Sequence, residues 1–186
     1  VHDFLVDDYP AHELGLLGRG AVLLLALDVV DVRNYLTAFL LGDGKGRFSE
    51  AGGSPFPCGD SPIFLAAGDL NGDGKTDLAI SNSPSNSTGS GRDGLTILRG
   101  DGKGGFRMIA GSPFQTGAAP TRLAIGDVNG DRVPDVAVAN LNSNTVTLFL
   151  MSDKGSIASS STFGVGSQPK GVAIHDLNCD GKPEIV

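Results

Sequence analysis

The chain has 186 residues, a net charge of −7 and a pI near 4.7, and is long enough for one sizeable core. That charge excludes a nucleic-acid surface, which needs clustered lysine and arginine, and no such cluster is present. With 28 glycines, 10 prolines, no tryptophan and short runs of Val, Ile, Leu and Thr, the composition is that of a turn-rich all-β protein with an aliphatic core.

Residues 1–32 match nothing downstream; they are unassigned, or hold a degenerate strand between Val22 and Val30. The apolar run from Ala21 to Leu27 is ended by Asp28 and Asp31 and is too short to span a bilayer. Asp3, Asp7, Asp8 and Glu13 precede it, so it lacks the basic start of a secretory signal. Any export signal is expected to have been removed or to lie outside this sequence.

A repeat begins at Tyr35. A strand to Leu41, a tight turn from Gly42 to Gly46 and a returning strand from Arg47 form a hairpin, repeated from Leu95 to Ala110 and again from Thr147 onward. Each hairpin runs into Phe-x-x-Gly-x-x-Pro, at Phe56 to Pro62, Phe114 to Pro120 and Phe163 to Pro169. A phenylalanine fixed at one place in every copy is expected to wedge between neighbouring units. After each linker comes an apolar strand, an acidic loop and a second apolar strand. The units thus read as four-stranded antiparallel meanders: 33–61 a partial blade, 62–119 and 120–168 complete blades, and 169–186 the start of another. The loops recur 58 and then 49 residues apart, the longer spacing reflecting a polar insertion between Asn82 and Gly94.

Such repeats are the sign of a β-propeller, whose sheets pack face to face because a single sheet cannot bury both of its faces. About two and a half to three blades are too few for closure. The expectation is an incomplete propeller, read as a fragment of a larger one or as a chain that self-associates to complete it.

The acidic loops carry the chemistry. They run Asp69-Leu-Asn71-Gly-Asp73-Gly-Lys75-Thr-Asp77, Asp127-Val-Asn129-Gly-Asp131-Arg-Val133-Pro-Asp135 and Asp176-Leu-Asn178-Cys-Asp180-Gly-Lys182-Pro-Glu184. Oxygen side chains fall at the first, third, fifth and ninth positions, with a backbone carbonyl at the seventh, the donor set a hard cation such as Ca²⁺ takes from a loop. Nine of the 21 acidic residues lie in these loops and would repel one another without a cation. The alternative is a turn whose side chains cap their own backbone.

Together the Phe-x-x-Gly-x-x-Pro linker and the Asp-x-Asn-x-Asp-Gly-x-x-Asp loop resemble the FG-GAP or VCBS-type repeat of integrin α propeller heads and many secreted proteins, over roughly residues 35–186. The resemblance implies a calcium-binding propeller that binds protein or glycan ligands outside the cell, with structural metal. Of the three sites, Asp69 to Asp77 is the most complete. Arg132 replaces the glycine of the second loop and is expected to weaken it, since a non-glycine residue at positive φ is strained by roughly 1 kcal/mol. The third has Cys179 in place of glycine and Glu184 at the ninth position.

Other features carry less. Arg99-Gly100-Asp101 aligns with Leu41-Gly42-Asp43 and reads as a glycine turn rather than an adhesive tripeptide. Asn86-Ser87-Thr88 is a glycosylation acceptor sequence, His2, His12 and His175 do not cluster, and Cys58 and Cys179 read as two thiols. No catalytic constellation recurs at interpretable spacing, so a non-enzymatic adhesion or binding module is expected; the alternatives are a non-catalytic part of a larger secreted enzyme, or a truncated chain without independent function.

Overall fold

The structure, a computed structural model, describes residues 22–26, 36–43, 45–83 and 94–186. The glycosylation sequence at Asn86, along with His2 and His12, lies outside the described residues.

Alternating apolar residues between glycine turns give strands throughout, and the described residues contain no helix. The first sheet contains β1 (Val22–Ala26), β2 (Leu36–Gly42), β3 (Phe48–Glu50) and β4 (Phe56–Pro57), with β3 and β4 both paired to β2. The second runs β5 (Pro62–Gly68), β6 (Asp77–Asn82), β7 (Gly94–Gly100) and β8 (Phe106–Met108), with β9 (Phe114–Gln115) also on β7. The third runs β10 (Pro120–Gly126), β11 (Asp135–Asn140), β12 (Thr145–Met151) and β13 (Ile157–Gly164). A last pair joins β14 (Ile174–His175) to β15 (Glu184–Ile185). All these pairings are antiparallel. The architecture is therefore an all-β series of blade-like meanders that does not close.

Two details sharpen the sequence reading. Of the alternatives for the N-terminal segment the structure shows the strand, Val22–Ala26, which pairs with β2 from Val22 opposite Leu41 to Ala26 opposite Thr37, the place β6 and β11 hold in their own sheets. The fourth strand of the first two sheets is also split. Gly53-Ser-Pro55 and Gly111-Ser-Pro113 interrupt it, each with a cis Ser–Pro bond, and Ser112 Oγ patches the break by accepting a hydrogen bond from the Ile97 amide at 3.2 Å. The third copy lacks Gly-Ser-Pro, and β13 runs through unbroken.

Alternation along the strands explains the core, because successive side chains face opposite sides of a sheet. Leu78, Ile80 and Leu98 face the first sheet and pack with Ala51, Phe56 and Cys58. Ala79, Leu95 and Ile97 face the third and pack with Leu123, Val136, Val138 and Phe149. Strands β6 and β11 are buried along their whole length. Two of the three linker phenylalanines act as wedges, Phe56 meeting Phe106 of the next sheet edge-on at 5.8 Å and Phe114 lying 6.5 Å from Phe149, whereas Phe163 is exposed. Near the first strands the sheets are joined by polar contacts. Ser81 Oγ donates to the Thr121 carbonyl at 2.5 Å, and the Arg122 guanidinium lies 5.3 Å over the Phe64 ring.

Candidate functional site

Each acidic loop joins the first strand of a sheet to the second and is closed by one residue pair: Gly68 opposite Asp77, Gly126 opposite Asp135, and His175 opposite Glu184. Inside, short polar side chains fold the backbone around themselves, as Asp and Asn do in turns. Asp69 Oδ2 accepts from the Gly74 amide at 2.7 Å, Asn71 Oδ1 from Asp73 at 3.0 Å and Asp73 Oδ1 from Lys75 at 2.9 Å. The third loop repeats this through Asp176, Asn178 and Asp180, which accept from Gly181, Asp180 and Lys182 at 2.8, 2.9 and 2.8 Å. The second keeps Asn129 and Asp131 in the same roles, but Asp127 accepts from Gly130 and Arg132.

Two positions in each loop need a left-handed backbone, which glycine adopts without cost. They are held by Gly72 and Gly74, by Gly130 and Arg132 (φ 70°), and by Cys179 (φ 63°) and Gly181. Arg132 thus adopts the strained conformation expected of it, and Cys179 shows that the fourth position is as demanding as the sixth.

The ninth residue does different work. Asp77 is buried, with one oxygen accepting from the Leu70 amide at 3.1 Å and the other from Gly100 at 2.9 Å. Asp135 is likewise buried and accepts from Val128 at 3.1 Å and Met151 at 2.9 Å. Glu184 is half-buried, accepting from the Leu177 amide at 2.8 Å and from Asn178 Nδ2 at 3.2 Å.

Electrostatics follow this split. Burial pushes the Asp77 and Asp135 carboxyls above the usual carboxylate range in spite of the N–H groups that bond them. At Asp73 desolvation also pushes upward, but the Lys75 N–H, the Asn71 amide and the Lys75 charge outweigh it and hold the group below that range. Asp127 is held down similarly by the amides of Arg132 and Gly130.

Oxygens of the first and third positions converge in two of the loops. Asp69 Oδ1 and Asn71 Oδ1 both accept from the Asp73 amide, and Asp176 Oδ1 and Asn178 Oδ1 both accept from Asp180, so these oxygens sit side by side. In the first two loops both oxygens of the ninth carboxylate are bonded to backbone amides, with which a cation would compete. Among the described residues no three Asp, Glu, His or Cys side chains converge as a metal cage. Val133, expected as a carbonyl donor, buries its side chain in the core beneath the second loop.

The remaining residues singled out in the sequence are scattered. Arg99 donates to the Lys154 carbonyl at 2.6 Å, Gly100 is buried, and Asp101 Oδ1 accepts from Lys103 and Gly105, so the Arg-Gly-Asp tripeptide is engaged within the fold. Cys58 is buried and Cys179 exposed. Sequence reasoning missed Asn82, a buried side chain that donates to the Cys58 carbonyl and accepts from Thr96 Oγ1, both at 2.8 Å. The recurrence of asparagine at the end of β6 and β11 was the available signal, since Asn140 donates to Thr147 Oγ1 at 2.9 Å.

Residues 86–138 and 127–186 match a family model described as FG-GAP-like repeat, and residues 61–94 match one described as FG-GAP repeat. Integrin alpha-PS3 of Drosophila melanogaster is 40% identical over 100 residues, covering 49% of this chain and 9% of that protein. The chain therefore spans less than a tenth of that relative's length. The matched residues take in the second and third sheets with all three acidic loops, and the chain belongs to the FG-GAP repeat family.

Proposed function

We propose that the chain is a non-catalytic part of a calcium-stabilised propeller that binds protein or glycan ligands outside the cell or at its surface. The observation that carries this is the nested loop between the first and second strands of three successive units, whose first and third copies hold carboxylate and amide oxygens side by side. Calcium bound there would supply positive charge against carboxylates that otherwise repel. Asp69, Asn71 and Asp73, with the Lys75 carbonyl, would hold it in the first loop; Asp127, Asn129, Asp131 and the Val133 carbonyl in the second; Asp176, Asn178, Asp180 and the Lys182 carbonyl in the third. Asp77, Asp135 and Glu184 set the shape of the loops through the amides they accept from. The similarity to an integrin α chain supports an adhesive role and a protein ligand.

Affinity of about 10⁻⁴–10⁻³ M, the range of extracellular modules, is expected. Calorimetric titration with Ca²⁺, paired with thermal unfolding in calcium and in chelator, tests the reading. Heat of binding whose stoichiometry falls by one site in Asp69→Asn/Asp73→Asn, with a lower melting temperature in chelator, is the expected result. No heat at millimolar calcium and an unmoved melting temperature would remove its basis.

A further inference from the structure

Two successive sheet junctions share one close contact beside the acidic loops. Gly68 ends β5, and a Cβ there would lie 3.1 Å from Cγ2 of Ile125 on the next sheet. Gly126 ends β10, and a Cβ there would lie 2.7 Å from Cγ2 of Ile174 and 3.1 Å from its Cβ. Neither glycine has a positive φ, and each sits in a regular antiparallel pair, so its backbone suits any residue. The junction uses the missing side chain, not backbone freedom.

The repeat fixes the correspondence. Gly68, Gly126 and His175 stand directly before the three loops, at the socket position; Ile125 and Ile174 stand one residue earlier in their copies and plug the socket of the sheet before, whereas Ala67, at the same place in its copy, is exposed. Twice an isoleucine fills the space left by a glycine. In the third copy an exposed imidazole occupies that space.

We propose that this position is a size-coded socket that decides which sheet can pack against which. His175 makes the face of β14 and β15 selective for a neighbouring FG-GAP-type sheet with alanine or glycine, not isoleucine, at the plug position. The face is continuous in kind with two interfaces already formed in the chain, each made by one residue of the next sheet entering the space directly before an acidic loop. At 2.7 Å the Gly126 socket cannot take even a methyl group without a shift, so an imidazole and a branched plug exclude each other. The inference is steric and does not depend on cation binding.

Transplanting the third socket's residue into the second junction of the full chain tests it. The Ala173 and Val186 amides each donate to the other's carbonyl and report whether β14 and β15 stay docked. In Gly126→His they are expected to exchange about tenfold faster or more, and in Gly126→His/Ile174→Ala to return to within about threefold of the original, as relief of overpacking requires. If Gly126→His alone unfolds the chain, recovery of folding in the double variant is the readout. The pair Gly68→His and Gly68→His/Ile125→Ala is expected to behave alike at its own junction. Unchanged exchange in Gly126→His, or double variants that restore neither junction, would overturn the proposal.

Discussion

Asp77 accepts a hydrogen bond from the amide of Gly100, 23 residues further along the chain, and so fastens the acidic loop to the end of β7. Asp135 and Met151 repeat this connection at 2.9 Å in the third sheet. The ninth position of the repeat is thus a staple between a loop and a strand of the same blade.

Asp77→Ala and Asp135→Ala leave two amides each without their acceptor inside the fold. Each is expected to cost about 1–3 kcal/mol per amide left unsatisfied, with the asparagine variants costing less because one acceptor remains. Urea unfolding in chelator measures this apart from any cation; an unshifted midpoint for both alanine variants would refute the staple.

Arg132 and Cys179 hold left-handed conformations that glycine holds elsewhere in the loops. Arg132→Gly is expected to gain roughly 1 kcal/mol by relief of that strain, raising the melting temperature by about 2–4 °C. Gly130→Ala, at φ 80°, should move it the other way. Scanning calorimetry of the three proteins decides, and a lower melting temperature for Arg132→Gly would count against strain at that site.

The amides of Lys103 and Gly105 hold the Asp101 carboxyl below its ordinary value of 3.8. The folded pKa is depressed, so the stabilisation is fully present above the unfolded value and is lost as pH falls through the folded one. Carboxyl carbon NMR should show Asp101 titrating below 3.8 in the folded chain and moving up towards that value in urea; a folded midpoint at or above 3.8 would contradict the hydrogen-bonded turn.

Phe56 is buried between the first two sheets, whereas its repeat partner Phe163 is 50% exposed. Phe56→Ala is expected to cost about 3–5 kcal/mol and Phe163→Ala within about 0.5 kcal/mol of nothing. Comparable losses in denaturant unfolding would show that Phe163 is covered in solution.

The parts of the fold visible in the sequence were those written repeatedly in local chemistry. Oxygen side chains two apart, glycines in turns and a phenylalanine at fixed spacing marked the loops and the blade edges, because each acts on residues within a few positions of itself. Strand β1 was visible only as one of two alternatives, a degenerate strand between Val22 and Val30: it has no acidic loop before it, and only its pairing with β2 gives it a place. The reach of the ninth carboxylate to the amide of Gly100 or Met151 was not legible, because that partner lies a strand away. Gly68 and Gly126 showed their recurrence, but a sequence does not distinguish a glycine kept for φ from one kept for space.

Burial of β6 and β11 along their whole length means that these strands have no solvent side of their own. Each is solvated only if a neighbouring sheet leaves, so opening should travel from sheet to sheet like fraying in a stack, each departure exposing the next. Amide protection should therefore be graded, highest in β6 and β11 and lowest in β13, whose residues face solvent along almost its full run.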